Sequence, residues 1–397
     1  MVTRSTPHAI EMLAELVASP SVSCTVPELD QSNRGVVDAL ANWLEPLGFA
    51  VRIDPIEGAP GKHNLIATLG TGPGGLILAG HTDTVPCDPA LWRSDPHRLE
   101  ARDGRLYGLG ATDMKGFFPL AIEAAATFRA DRLREPLTLL ATADEESSMS
   151  GARQLLAQRE LHARAAIIGE PTALRPVRMH KGILMEAIRV TGRAGHSSDP
   201  SLGRNALEDM HLVLAALLDW RQDLQRQHQH PGFAVQVPTL NLGCLHAGDN
   251  PNRICGSAEL HFDLRPLPGM DIATVRDALR ARLDQLREAT GMCIETHPLF
   301  PGIPAFETPE NRPFVAQVEA LAGQRAGAVA FATEAPFLSA LDVDTLVLGP
   351  GEIDCAHQPD EYLEVAQLEP TVALLQALIH SCCAEPHTPA PAPAVPS

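Results

Sequence analysis

Two kinds of hydrophobic pattern follow one another along the chain. Residues 7–18 space apolar side chains at helical intervals, with Ile10, Leu13, Leu16 and Val17 on one face, and residues 35–46 do the same with Val36, Val37, Leu40 and Leu44. A strand is predicted near 49–53. Four short and nearly unbroken apolar runs then stand out: Leu76–Ala79, Leu137–Ala143, Ala165–Ile168 and Leu346–Leu348. Runs of this length suit strands buried on both faces of a mainly parallel sheet. Helical patterns lie between them, notably over 115–129, and the alternation predicts an α/β domain.

The middle of the chain follows a different pattern. Residues 183–191, 239–245, 257–265 and 292–297 read as strands, and 204–228 and 271–290 as helices. The strand over 257–265 alternates cleanly, with Ala258, Leu260, Phe262 and Leu264 on one face and Glu259, His261 and Asp263 on the other. The order β-α-β-β-α-β predicts an α+β unit of ferredoxin-like connectivity inserted into the larger domain. The expected organisation is thus a first catalytic part over 1–179, an insert over 180–297 and a second catalytic part over 298–384. The alternating Pro and Ala of residues 385–397 predict a tail without fixed structure.

Composition narrows the function classes. The chain has 397 residues, 45% of them hydrophobic, which is enough for a large core. Asp and Glu outnumber Lys and Arg by 49 to 31, a formal net charge of −18, so nucleic acid is not an expected partner. No apolar run reaches the ~18 residues needed to span a bilayer, and the first residues lack the apolar stretch of a secretory signal. The expectation is a cytoplasmic protein with no membrane partner, whose eight scattered cysteines are reduced.

Each of the four apolar runs leads into potential metal ligands. The first ends at His81-Thr82-Asp83, the second at Asp144-Glu145-Glu146, the third at Glu170, and the fourth leads on to His357. Sites in open α/β sheets form outside the carboxyl ends of the strands, so these groups can converge. Asp113 lies among glycines in Gly108-Leu-Gly-Ala-Thr-Asp-Met-Lys-Gly116, where backbone can approach a crowded site closely. Taken singly, each residue has a plainer reading: a helix cap for Asp113, a solvated turn for the three consecutive acids, a surface side chain for Glu170 or His357. Two histidines and three acids at strand ends together suit two zinc-like ions with open positions for water.

The segments Gly80-His-Thr-Asp-Thr-Val-Pro86, Gly110-Ala-Thr-Asp-Met-Lys-Gly116, Asp144-Glu-Glu146, Gly169-Glu-Pro-Thr172, Gly195-His196 and His357-Gln-Pro-Asp-Glu361 closely resemble the M20 family of metallopeptidases and amidohydrolases. The likeness runs from about residue 7 to residue 383, with no departure at these positions. Asn252-Arg-Ile-Cys255, Asp263–Met270, Thr333–Phe337 and Leu348–Gly351 resemble in particular its deacetylases of small N-acyl amino acids. The resemblance implies two Zn2+ per subunit, with Co2+ able to substitute. His81 and Glu170 would hold one ion, Glu146 and His357 the other, and Asp113 would bridge. It also implies Glu145 as general acid and base, Asp83 as the group orienting His81, and a homodimer formed through the insert, with His196 reaching the partner's site to steady the oxyanion. A small N-acyl amino acid substrate follows. Arg265 could grip its carboxylate and Glu334 a side-chain amine, against the plainer readings of a strand-end arginine and a helix-start glutamate. Other acyl amino acid hydrolases of the family, and a metal-binding protein without activity, are the competing readings.

Overall fold

In a computed structural model, residues 8–384 are described. The proline- and alanine-rich tail expected over 385–397 lies outside them. The helices are α1 (Ala9–Val17), α2 (Arg34–Leu44), α3 (Phe117–Ala125), α4 (Ser150–Gln158), α5 (Ala206–Gln227), α6 (Ile272–Thr290), α7 (Pro313–Ala322), α8 (Ala335–Ser339) and α9 (Leu368–Ile379). Ten strands matter here: β1 (Ala50–Pro55), β2 (His63–Leu69), β3 (Leu76–His81), β4 (Leu137–Thr142), β5 (Ala165–Pro171), β6 (Leu184–Thr191), β7 (Thr239–Ala247), β8 (Ser257–Arg265), β9 (Cys293–Pro298) and β10 (Asp344–Gly349). Among the described residues no helix is long and apolar enough to cross a membrane, and the eight cysteines are free thiols.

The chain divides into two compact units. Of the described residues, the first takes those up to Arg178, then Thr308–Gly327, and those from Thr333 on; the second takes Met179–Glu307 and Ala328–Ala332. The second unit therefore runs past the boundary expected near 297. The physical reason is continued pairing after β9: Leu299 N–H donates to the Met185 carbonyl at 3.0 Å, Ile183 and Ile303 exchange backbone bonds of 2.9 and 2.8 Å, and Phe306 pairs with His180.

In the first unit the strands run in the order β1-β2-β4-β3-β5-β10. The four from β4 to β10 are parallel, and β1 and β2 are antiparallel additions at one edge. Every residue of β3, β4 and β5 is buried, as expected of parallel strands covered on both faces. Helices α1, α2, α3, α7 and α9 contribute to the core around them, from Met12 and Leu40 to Phe117, Val315 and Leu378. Because β3, β4, β5 and β10 point the same way, their carboxyl ends open on one side. Glycine permits close passage there. A Cβ on Gly349 would stand 2.1 Å from the Gly169 carbonyl oxygen, so the ends of β5 and β10 can approach only without one.

The second unit is an antiparallel sheet of order β7-β8-β6-β9 backed by α5 and α6. In β8 the four residues Ala258, Leu260, Phe262 and Leu264 are all buried, and they meet Val213 and Leu217 of α5 and Leu279 of α6 in one core. Asn205 caps α5 by accepting from Leu207 N–H at 3.0 Å, and Asp271 caps α6 through Thr274 N–H at 2.9 Å. Gly291 ends α6 in the left-handed conformation at φ 68°.

Candidate metal centre

His81 is the last residue of β3 and is fully buried. Its Nε2 lies 3.0 Å from Asp113 Oδ1 and 3.9 Å from Glu170 Oε1. His357, in a left-handed conformation at φ 58° in the loop beyond β10, brings its Nε2 to 2.9 Å from Glu146 Oε1 and 3.3 Å from Asp113 Oδ2. Asp113 thus turns one oxygen to each imidazole. The ligand atoms of His81, Asp113 and Glu146 lie within 4.8 Å of one another, and so do those of His81, Glu145 and Glu170. The five residues selected at strand ends, together with Glu145, therefore share one pocket built from the first unit alone.

The side chains around the ligands fix their aim. The expected partner for the His81 ring is the Asp83 carboxylate. The His81 Nδ1 instead faces the Asp83 backbone carbonyl at 3.0 Å, with Oδ1 at 3.7 Å. The Asp83 carboxylate accepts from the N–H of Glu145 at 3.2 Å and of Glu146 at 3.0 Å. One residue thereby holds the imidazole and the acidic turn together. Glu361 closes the His357 motif but has no role assignable from sequence. It accepts from Gly110, Thr112 and Asp113 N–H at 3.1, 2.8 and 3.0 Å. Its buried carboxylate clamps the loop that carries Asp113; an acid four residues after His357 is the available signal. The Asp113–Met114 peptide bond is cis.

Glu334 stands at the start of α8, in keeping with its plainer reading. It is only 2% exposed. The Thr142 hydroxyl lies 2.7 Å from its Oε2, while its Oε1 is buried without a hydrogen-bond partner. His196 and Arg265 belong to the second unit. His196 is exposed, and its Nδ1 accepts from Ser198 N–H at 3.2 Å. Arg265 donates through Nε to Asp263 at 2.8 Å and, with Lys181, Phe233, Thr239 and Phe331, lines a cavity of about 460 Å³. Lys181, which no sequence pattern marks, is buried there and donates to the Val237 carbonyl at 2.7 Å.

The electrostatics show what this pocket requires. Burial and the neighbouring Glu170 charge push Glu145 well above the usual carboxylate range; burial and Asp113 do the same to Glu170. Glu146 is raised by burial and by Asp113. Burial would raise Asp113, but its hydrogen bonds to His357 and His81 hold it below its ordinary value. His357 is pushed up to about 10 by Asp113 and Glu146. Buried carboxylates packed this closely are costly unless cations offset them. A donor set of carboxylate oxygens and imidazole nitrogens, grouped around both oxygens of one Asp, fits a pair of divalent ions of the zinc type.

The pattern of Peptidase family M20/M25/M40 matches residues 77–381. An acetylornithine deacetylase of Proteus mirabilis is 47% identical over 377 residues, covering 95% of this chain and 97% of its own. That of Edwardsiella ictaluri is 48% identical, covering 95% and 98%. Among solved structures, a tripeptidase of Staphylococcus aureus superposes with a TM-score of 0.73 at 18% identity, over 95% of this chain and 98% of its own. A dinuclear metal-binding M20 peptidase of Bacillus subtilis does so with a TM-score of 0.64 at 15% identity, over 94% and 98%; these two likenesses concern the fold. With the family pattern spanning most of its length and relatives close to half identical along nearly all of it, the chain belongs to the peptidase family M20/M25/M40.

Proposed function

We propose that the protein is an amidohydrolase that cleaves N2-acetyl-L-ornithine to L-ornithine and acetate, with two divalent ions, zinc or in its place cobalt, at the centre described above. The observation that carries the two-ion reading is Asp113, whose oxygens lie 3.0 Å from His81 Nε2 and 3.3 Å from His357 Nε2. In this reading His81 and Glu170 would hold one ion, Glu146 and His357 the other, and Asp113 would serve both. Ions held there would supply Lewis acidity, lowering the pKa of water and polarising an amide carbonyl. The choice of substrate follows the acetylornithine deacetylases of Proteus mirabilis and Edwardsiella ictaluri.

The protein's own groups divide the remaining work. Glu145 shares a cluster with His81 and Glu170 but makes no hydrogen bond to either imidazole, so it is the acid assigned to take the proton from the attacking water and return it to the leaving amine nitrogen. Asp83 orients this acid through the Glu145 backbone N–H. Arg265 is assigned to the substrate carboxylate, which a guanidinium can grip with two parallel bonds; its place in an open cavity beside Lys181 supports this. Glu334 is assigned to the side-chain ammonium on the strength of its unpartnered Oε1. A second reading, that Glu334 only braces Thr142, would make Glu334→Gln affect cationic and neutral substrates alike. The exposed His196 is assigned to the partner's site in a homodimer formed through the second unit, where it would steady the oxyanion.

A hydrolysis panel on metal-loaded protein tests the proposal. Acetylornithine should exceed succinyl-diaminopimelate and neutral acetyl amino acids in kcat/KM. Preference for the succinylated substrate would overturn the substrate assignment while leaving the two-ion chemistry standing. Mixing inactive His196→Ala and Glu145→Gln chains should restore part of the activity in mixed dimers, and no recovery after proven subunit exchange would remove the trans role.

A further inference from the structure

Three acids follow β4 in succession, and they do different work. Glu145 and Glu146 enter the metal centre. Asp144 points away, into a buried polar knot. Its Oδ1 lies 2.8 Å from Lys62 Nζ and accepts from the Ser23 hydroxyl at 3.0 Å. Its Oδ2 accepts from the Ser150 hydroxyl at 2.8 Å. Asp144 also adopts the left-handed conformation, at φ 60°, which a residue with a Cβ adopts seldom and Asp more readily than most. That one residue reverses the chain, so that the next two N–H groups both meet the Asp83 carboxylate.

Lys62 is 3% exposed and immediately precedes β2. Its ammonium donates to three oxygens: Asp30 Oδ1 at 2.7 Å, Asp144 Oδ1 at 2.8 Å and the Val22 carbonyl at 3.4 Å. Burial by itself would lower its pKa, but the bonds to Asp144 and Asp30 more than offset this and keep it charged. The two carboxylates differ in setting, since the Asp30 side chain is 33% exposed and that of Asp144 only 8%. Water can replace the lysine at Asp30. At Asp144 loss of the lysine strands a buried charge at the head of the catalytic turn.

We propose that Lys62 is a positioning residue of the hydrolytic site, acting through Asp144 to hold the turn that presents Glu145 and Glu146. The inference rests on the two-ion reading of the centre. Lys62 touches neither ligand nor reacting atom; it fixes the residue whose backbone sets where the next two carboxylates go. A displacement near 1 Å at a reacting group can cost on the order of 10²-fold in rate, so the lysine reaches catalysis through geometry alone.

The test compares Lys62→Met, Asp144→Asn, their double variant and Asp30→Asn in the full-length, metal-loaded protein. Steady-state kinetics on acetylornithine are read beside the visible absorption of the Co2+-loaded forms. Lys62→Met and Asp144→Asn should each lower kcat roughly tenfold or more with a smaller change in KM, and should alter the Co2+ spectrum. The double variant should be no worse than the poorer single one, because both abolish the same charge pair. Asp30→Asn neutralises an equally close partner of the same ammonium and should leave kcat and spectrum near wild type. Equal losses in Asp30→Asn and Lys62→Met would make the lysine a general stabiliser and overturn the proposal, as would additive losses in the double variant. If Lys62→Met does not fold, the near-isosteric Asp144→Asn, set against Asp30→Asn, decides between the same two outcomes. The Co2+ spectra judge the lysine even if acetylornithine proves not to be the substrate, so the two readings fail separately.

Discussion

Among the described residues each unit buries one histidine completely, and the two meet opposite surroundings. His180, in the second unit, packs its ring 5.3 Å from that of Phe306 and has its Nδ1 2.9 Å from the Lys181 carbonyl. Burial lowers its pKa to about 4, so it stays neutral. His81, in the first unit, is desolvated to the same degree, yet its hydrogen bond to Asp113 and the charges of Glu170, Asp83 and Glu145 raise it well above its ordinary 6.5. One histidine fills a core. The other stands in an acid cluster that demands positive charge. Strands in the second unit run on into turns and pairing, whereas in the first β3 ends in His81, β5 carries Glu170 near its end and β4 leads into Asp144-Glu145-Glu146. The lesson is that burial of a titratable group says little about function until its neighbours are counted.

The contrast can be broken at either end. The largest expected effect is on rate: Glu145→Gln should lose ~10²–10⁴-fold in kcat while metal content, read by elemental analysis, stays at the wild-type level. Near-normal turnover would remove Glu145 from the reaction. The reciprocal experiment is in the second unit, where Leu260 is buried in the core under α5 and α6. Leu260→Ala should cost about 2–5 kcal/mol of stability in denaturant unfolding and leave kcat of the folded protein essentially unchanged.

The two histidines sharpen the comparison through pH. With a folded pKa of about 4 against an ordinary 6.5, His180 is neutral in both states above pH 6.5. Below that the unfolded chain takes the proton first, so stability falls with falling pH until about 4, where the folded chain is protonated too. The span corresponds to ~3 kcal/mol at most. His180→Gln should flatten the stability profile by up to that amount between pH 6.5 and 4, and an unchanged slope would mean the site is wetter than its packing indicates. The smallest effect expected is for Asp83→Asn, which keeps the backbone carbonyl facing His81 but weakens the acceptor for Glu145 and Glu146 N–H. Groups behind metal ligands typically account for ~10–100-fold in metal affinity or activity; a loss in that range, by metal titration or by kcat, is predicted.

Much of this is legible in the chain. The alternation of Ala258, Leu260, Phe262 and Leu264 has period two and one buried face, so β8 is visible without a structure. The runs ending at His81, Glu146 and Glu170 are visible because parallel strands need apolar residues on both faces. By contrast β2 is hard to read: His63-Asn64-Leu65-Ile66-Ala67-Thr68-Leu69 mixes polar and apolar positions with neither periodicity, since Asn64 is buried and spends its amide on the Gly151 carbonyl. The roles of Glu361, Lys62 and Asp144 are hidden for another reason. Their partners lie far away in sequence, 121 residues in the case of Ser23 and Asp144, and only the fold reveals which acid faces the metal centre and which turns away.

The central claim is that Asp113 joins two cation sites. Calorimetric titration of metal-depleted protein with Zn2+ tests it most directly, with Glu145→Gln and Asp113→Ala run alongside. Two ions per chain are expected for the wild type and for Glu145→Gln, and weakened binding of both ions in Asp113→Ala. A wild-type chain that takes up only one ion, or an Asp113→Ala variant that binds two as tightly as the wild type, would contradict it.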